Sequence, residues 1–124
     1  MEIKVGTPLL DLEGNALKHP ETQQPWTVGL VLTTVALSAP APGQAYNEME
    51  QTARYLAAMD IRDAQRLVID GMPDSTVEIS NEMLGKLKAD IMRMFGPIIA
   101  GQMAALLSTR RRPNIEVIEA DRPN

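Results

Sequence analysis

The alternation of apolar and polar positions divides the chain into short extended pieces near its start and helical periods from residue 27 onward. In "EIKV", Ile3 and Val5 alternate with Glu2 and Lys4, the period of two expected for a strand with one buried face. In "LLDLEGNAL", Leu10 and Leu12 share a face. Gly14-Asn15 follow, a pair that accepts positive φ, and Ala16-Leu17 resume the apolar pattern. Residues 1–19 therefore predict a β-hairpin region with its tip at Gly14-Asn15. "PETQQP" at 20–25 reads as a polar loop bounded by prolines.

Thr27 has the character of a helix N-cap, and Trp26 and Val31 around it have the spacing of a hydrophobic staple. The helix that follows runs to about Leu37 and is apolar almost all round, which predicts burial on most sides. "SAPAPG" at 38–43 ends it, since two prolines cannot continue a helix. From Gln44 to about Ile69, the residues Tyr46, Met49, Ala53, Leu56, Ala57, Ile61, Ala64 and Val68 follow one stripe. The pairs Glu50–Arg54 and Asp63–Arg66 then point away from it. "DGMPDST" is a turn and "TVEI" a short extended piece. Ser80 is the next N-cap, with Ile79 and Leu84 as its staple. The helix beyond it buries Leu84, Leu87, Ile91, Met94 and Phe95, with Glu82, Lys86 and Asp90 on its outer side. Gly96-Pro97 interrupts it, and a further helix carries Ile99, Met103, Leu106 and Leu107.

After the basic run at 110–112, "NIEVIEA" has strand character through Ile115, Val117 and Ile118. It is a candidate partner for "EIKV" or an arm added to a neighbour's sheet. The whole predicts an α+β fold, mostly α, with three to four helices, a small N-terminal β-hairpin and that C-terminal strand as an optional third piece. Residues 1–109 form one globular domain, with 1–19 the hairpin region and 27–107 the helical body; residues 110–124 form a C-terminal arm.

Composition sharpens this picture. With 124 residues and only 3% aromatics, the core must be aliphatic and Met-rich; eight methionines give an adaptable interior. There is no cysteine, which removes disulfides, thiolate zinc sites and cysteine nucleophiles together. The net charge of −4 disfavours non-specific nucleic-acid binding. The apolar runs "VGLVLTTVALSA" and "GPIIAGQMAALL" are shorter than the roughly 20 residues that span a bilayer, and no stretch has the order of a secretion signal. The expectation is a cytoplasmic protein without a membrane segment.

Tests for chemistry return little. A calcium loop starting at Asp11 would need glycine at Ala16 and glutamate at Thr22, so "DLEGN" reads as a hairpin tip. His19 is the single histidine and has no second ligand residue of its kind. No nucleophile-elbow pattern surrounds Ser38, Ser75, Ser80 or Ser108. Asp60 and Asp63 alternate with Arg62 and Arg66 along one helix, the pattern of a solvated, ion-paired face. No catalytic, cofactor-binding or metal-binding residue is assigned, and no cofactor is expected.

What remains is association. Two apolar helices with small side chains exceed what three short helices can cover, so another subunit or a protein partner is expected on one of them. The candidate partner-binding residues are Leu30, Thr33, Thr34 and Leu37 on the first apolar helix, Met103 on the last, and Arg110, Arg111 and Arg112. The arginines fit either a grip on an acidic partner or the cationic end of a helix. The leading function is a non-enzymatic protein-binding or assembly module, with a protein partner, a second copy of itself in a homo-oligomer, or both. The alternatives are a small carboxylate-based, metal-dependent enzyme built on Asp60, Asp63 and Asp70, and nucleic-acid binding through the basic arm.

The order of parts carries a resemblance. "LLDLEGNAL", "TVGLVLTTVAL", "AYNEMEQTARYLAAMDIRDAQRLVIDG" and "VEISNEMLGKLKADI" follow one another over most of residues 8–107. This resembles small proteins encoded by tailed phages, many without an assigned activity. The resemblance implies a role in particle assembly or in binding a host or phage protein, in host cytoplasm or virion. It transfers no functional residue, and Arg110–Asn124 has no counterpart in it.

Overall fold

The computed structural model describes residues 1–108. Its order is β1 (Glu2–Lys4), α1 (Val28–Ala36), α2 (Glu48–Ile69), β2 (Thr76–Glu78), α3 (Asn81–Met94) and α4 (Pro97–Leu106). The fold is α+β and mostly α, with four helices and one small antiparallel sheet.

The sheet pairs β1 with β2, which lies more than seventy residues away; Ile3 faces Val77, flanked by Glu2–Glu78 and Lys4–Thr76. Ile3 and Val77 point into the core and their neighbours outward, as strand alternation requires. "EIKV" thus has "TVE" as a partner that the sequence reading did not name; "NIEVIEA", the candidate partner from the sequence, lies outside the described residues. The like charges of Glu2 and Glu78 are relieved by the Met1 amine, 2.6 Å from Glu78 Oε2.

The hairpin tip is present within residues 8–27, which fold back through single bridges at Pro8–Thr27, Leu10–Ala16 and Lys18–Pro25. Gly14 takes φ +86, and the Asp11 carboxylate accepts from the amides of Glu13 and Asn15, so Asp11 organises the backbone of the turn. The buried residue of this segment is Leu9, however, while Leu10 and Leu12 face outward. The Leu9 amide bonds to the Trp26 carbonyl and its carbonyl accepts from Leu17, which turns Leu9 to the core. His19 braces the adjoining loop. Its ring packs 5.2 Å from Trp26 and its Nδ1 accepts from the Glu21 and Thr22 amides.

α1 is the centre of the molecule. Six of its nine residues are buried, and it packs between α2 and α3. Its first-turn amides all find acceptors: Val28 on Thr7 O, Gly29 on Val5 O, Leu30 on Thr27 Oγ1 and Val31 on Thr27 O. The segment after β1 therefore supplies the caps that a buried helix start needs. Gly29 lets this happen, because a Cβ there would come within 2.9 Å of both Val5 Cβ and Gln65 Nε2. Gln65 beside one end of α1 and Arg54 beside the other make α1 and α2 antiparallel. Of the two apolar helices, α1 is the one that the chain's own elements cover.

Asn47 caps α2, so the helix starts at Glu48 rather than near Gln44. Ser80 caps α3 through the Met83 amide, with Ile79 and Leu84 buried as its staple. Phe95 leaves α3 in an extended conformation, and Pro97 opens α4 at a position where its missing amide costs nothing. Phe95 meets Trp26 edge-on at 5.4 Å, joining the α3–α4 corner to the start of α1.

Candidate functional site

The last helix is the one whose covering is incomplete. Between Arg93 and Arg110 no residue is charged. α4 buries Ala100, Met103 and, just past its end, Leu107. Its other side, formed by Pro97, Ile98, Gly101, Ala104, Ala105 and Leu106, faces solvent. A helix exposed on one side normally carries charge there, as α2 does with Arg62, Asp63 and Arg66. α4 carries none.

Three further features adjoin this face. Ala100, Met103, Ala104 and Leu107 of the α4 segment meet Ile91 and Met92 of α3 around a mostly apolar cleft of about 160 Å³. Met92 is 65% exposed beside it. On another side, Gln102 ties α4 to the hairpin: its Oε1 accepts from the Leu10 amide at 2.9 Å and its Nε2 donates to the Leu10 carbonyl at 2.6 Å. The same Nε2 donates to Ile98 O. This holds the partly exposed Leu10 against α4 near Gln102 and Ile98, while Leu106 adjoins Glu2, Lys4 and Thr7.

The candidates from the sequence distribute unevenly. Leu30, Thr33, Thr34 and Leu37 do share one side of α1, at helical spacing. Leu30, Thr33 and Thr34 are half-buried and only Leu37 is exposed. Thr34 Oγ1 is engaged with Leu30 O, and Thr33 Oγ1 is buried without a hydrogen-bond partner. Met103 is 1% exposed and belongs to the core, so the surface of α4 is formed by its neighbours instead. A period of 3.6 does not say which side of an apolar helix turns inward, and Met103 fell on the inner one. Arg110, Arg111 and Arg112 lie outside the described residues.

A second feature was concealed in the sequence. Arg54, expected on the outer side of α2, is 4% exposed. Its Nε donates to Glu50 Oε2 at 3.0 Å and its Nη1 to Val35 O at 3.3 Å. The same Nη1 lies 2.9 Å from Asp90 Oδ2 of α3, a charge–charge contact, because that oxygen has no well-aligned hydrogen bond. The guanidinium also lies 4.2 Å over the Tyr46 ring. Burial pulls the Arg54 pKa down, but the bonds to Glu50 and Asp90, with the charges of Asp90 and Tyr46, outweigh it and the pKa is raised. Asp90, expected on the outer side of α3, is drawn inward by this contact. The inward stripe of α2 is accordingly Arg54, Ala58, Ile61 and Ala64, while Met49 and Leu56 are exposed. Met94 likewise is 40% exposed rather than buried.

Asp60, Asp63 and Asp70 do not share a cleft. Asp60 faces Glu78 and Ser80, Asp63 pairs with Arg62 at 3.6 Å, and Asp70 caps the end of α2. Among the described residues no three His, Cys, Asp or Glu side chains gather as a metal site, and no helix is long and apolar enough to cross a membrane. Comparison of the chain with protein-family models, with curated proteins and with solved structures finds no match.

Proposed function

We propose that the protein is a non-enzymatic protein-binding or assembly module whose contact face is the outer side of α4, continued by Met92 and Leu10. The observation that supports this reading is the charge-free solvent side of α4, with Ile98 and Leu106 exposed at 41% and 46%. Scattered surface leucines are ordinary, but a continuous uncharged side of a helix favours association over solvation. Gly101, Ala104 and Ala105 present little bulk, so a partner element can approach the backbone closely. A place among small assembly or accessory proteins of tailed phages, working in host cytoplasm or particle, is the biological setting that agrees with this reading.

The decisive experiment places charge on that face. Ala105→Glu and Leu106→Lys alter exposed positions and leave the fold intact by thermal melting. Both variants are expected to abolish the complex that the wild-type chain forms, with itself or with a partner isolated from its native host, as measured by sedimentation and mass. Unchanged complex formation in both variants would remove α4 as the contact face.

A further inference from the structure

The small sheet has one open edge. Met1 and Ile79 exchange backbone bonds at 2.8 and 3.0 Å, and the Val5 amide donates to Ser75 O at 3.3 Å. Bonded and non-bonded positions alternate along an antiparallel pair. The amide and carbonyl of Ile3 therefore turn toward β2, and those of Glu2 and Lys4 turn away from it. None of these outward groups has a hydrogen-bond partner among the described residues. A row of unpaired N–H and C=O groups is a template for another strand. The edge is also continuous with the face assigned above, since Ile3 and Lys4 share a cleft of about 220 Å³ with Leu106 and Leu107.

The residues of this edge select which strand fits. Laid antiparallel against a second copy of itself about Ile3, Glu-Ile-Lys sets Glu2 opposite Lys4, Ile3 opposite Ile3 and Lys4 opposite Glu2. The outward groups then meet in register, and each Glu2–Lys4 pair exchanges both of its N–H···O bonds. Opposite charges directly across two strands stabilise the pairing and like charges oppose it. A slip of two residues in either direction sets Glu2 against Glu2 or Lys4 against Lys4, so the register is specified. Glu2 already faces Glu78 on β2, and a lysine on its other flank relieves that like-charge contact. The present contact of Lys4, with Asp74 at 3.4 Å, joins two exposed side chains and holds it weakly.

We infer that two copies of the chain associate about a two-fold axis at Ile3, joining their sheets edge to edge through β1. The same patch then serves on both subunits, as a two-fold interface requires. Three residues of strand bury too little area to hold two proteins together. The remaining area comes from the uncharged side of α4 beginning at Leu106, so the inference rests on the reading of that side as the contact face.

The test is sedimentation of the full chain over a concentration series, with Glu2→Lys, Lys4→Glu and an equimolar mixture of the two variants. Wild type is expected to pass from monomer to dimer. Each variant alone sets like charges opposite one another at both pairs and is expected to weaken the dimer about tenfold. In the mixture every lysine of the edge meets a glutamate, so one-to-one pairing with about the wild-type affinity is expected, which variants that fail to fold cannot give. Amide exchange at Lys4 should slow in step with the dimer fraction. A wild type that stays monomeric, a dimer indifferent to both variants, or a mixture no tighter than its components would each overturn the inference. Slow Lys4 exchange in the monomer would overturn it too, since another part of the same chain would then cover the edge. A dimer lost in Ala105→Glu and Leu106→Lys but kept in Glu2→Lys and Lys4→Glu sinks the strand pairing alone and leaves the α4 face standing.

Discussion

Arg54 of α2 reaches Asp90 of α3 at 2.9 Å while donating to the Val35 carbonyl of α1, so one side chain touches three helices. α1 has no basic residue in its own last turn. Its C-terminal carbonyls, the negative end of the helix dipole, are met instead by a cation from another helix. Glu50 and Asp90 both neutralise that cation, and Lys86 and Arg93 hold the two carboxylates in turn. The contact therefore sets how α1, α2 and α3 stand to one another near the C-terminal end of α1.

Removing the cation should be costly. Breaking a buried ion pair by deleting one partner typically costs about 3–5 kcal/mol. Here Asp90 and Glu50 keep some contact with water and with Lys86 and Arg93. Arg54→Met is therefore expected to lose about 2–4 kcal/mol in urea unfolding, somewhat less than that range. A loss below about 1 kcal/mol, the scale of a surface pair, would mean that Arg54 is solvated after all.

The same contact fixes a pH dependence. The Arg54 pKa is raised in the folded chain. Stability from a raised group is present in full below the unfolded pKa and is lost only as pH rises through the folded one. For arginine both values lie far above the neutral range, so the stability gap between wild type and Arg54→Met should stay constant from about pH 7 to about pH 9. A gap that shrinks across this range would contradict the assignment.

Two glycine-to-alanine changes should have opposite signs. At Gly29 the added methyl meets Val5 Cβ and Gln65 Nε2 at 2.9 Å, and Val5 is fully buried in the core. Overpacking costs about 1–3 kcal/mol, more than the roughly 1 kcal/mol that alanine gains in a helix, so Gly29→Ala lowers the melting temperature. At Gly101 nothing lies within 4 Å, so Gly101→Ala raises it by the helix-propensity gain of about 0.5–1 kcal/mol. Equal signs in the two variants would show that Gly29 is not in tight contact.

Gln102 should act on the hairpin more than on the helix that carries it. Gln102→Leu removes both bonds to the Leu10 backbone and is expected to speed hydrogen exchange of the Leu10 amide, with a global loss of about 1–2 kcal/mol. Exchange at Leu9, whose amide is held by the Trp26 carbonyl, should change less. Identical acceleration at both would mean that the hairpin opens as one unit.

The two sides of α4 should separate cleanly in truncation. Met103→Ala removes a core side chain and is expected to cost about 2–4 kcal/mol. Leu106→Ala, at an exposed position, should stay within about 0.5 kcal/mol in the isolated chain. Comparable losses by thermal melting would mean that Leu106 is covered.

Local order along this chain was legible in its residues. Thr27 and Ser80 start their helices through the cap bonds their side chains allow, Pro97 opens the last helix, and Gly14 turns the hairpin. Those are short-range effects, fixed by a few neighbouring atoms, so sequence alone determined the helices, their breaks and the fold class. It could not decide which side of each helix faces inward. On α2, the stripe through Met49 and Leu56 and the stripe through Arg54, Ala58 and Ile61 both repeat at three and four residues. Only Asp90 and the Val35 carbonyl, brought close by the packing of α3 and α1, make burial of Arg54 favourable. For the same reason "EIKV" found its partner in "TVE" and Met103 turned inward while Leu106 did not. Burial of a charge or choice of a helix face is a property of the neighbours that surround it, and those neighbours come from distant parts of the chain.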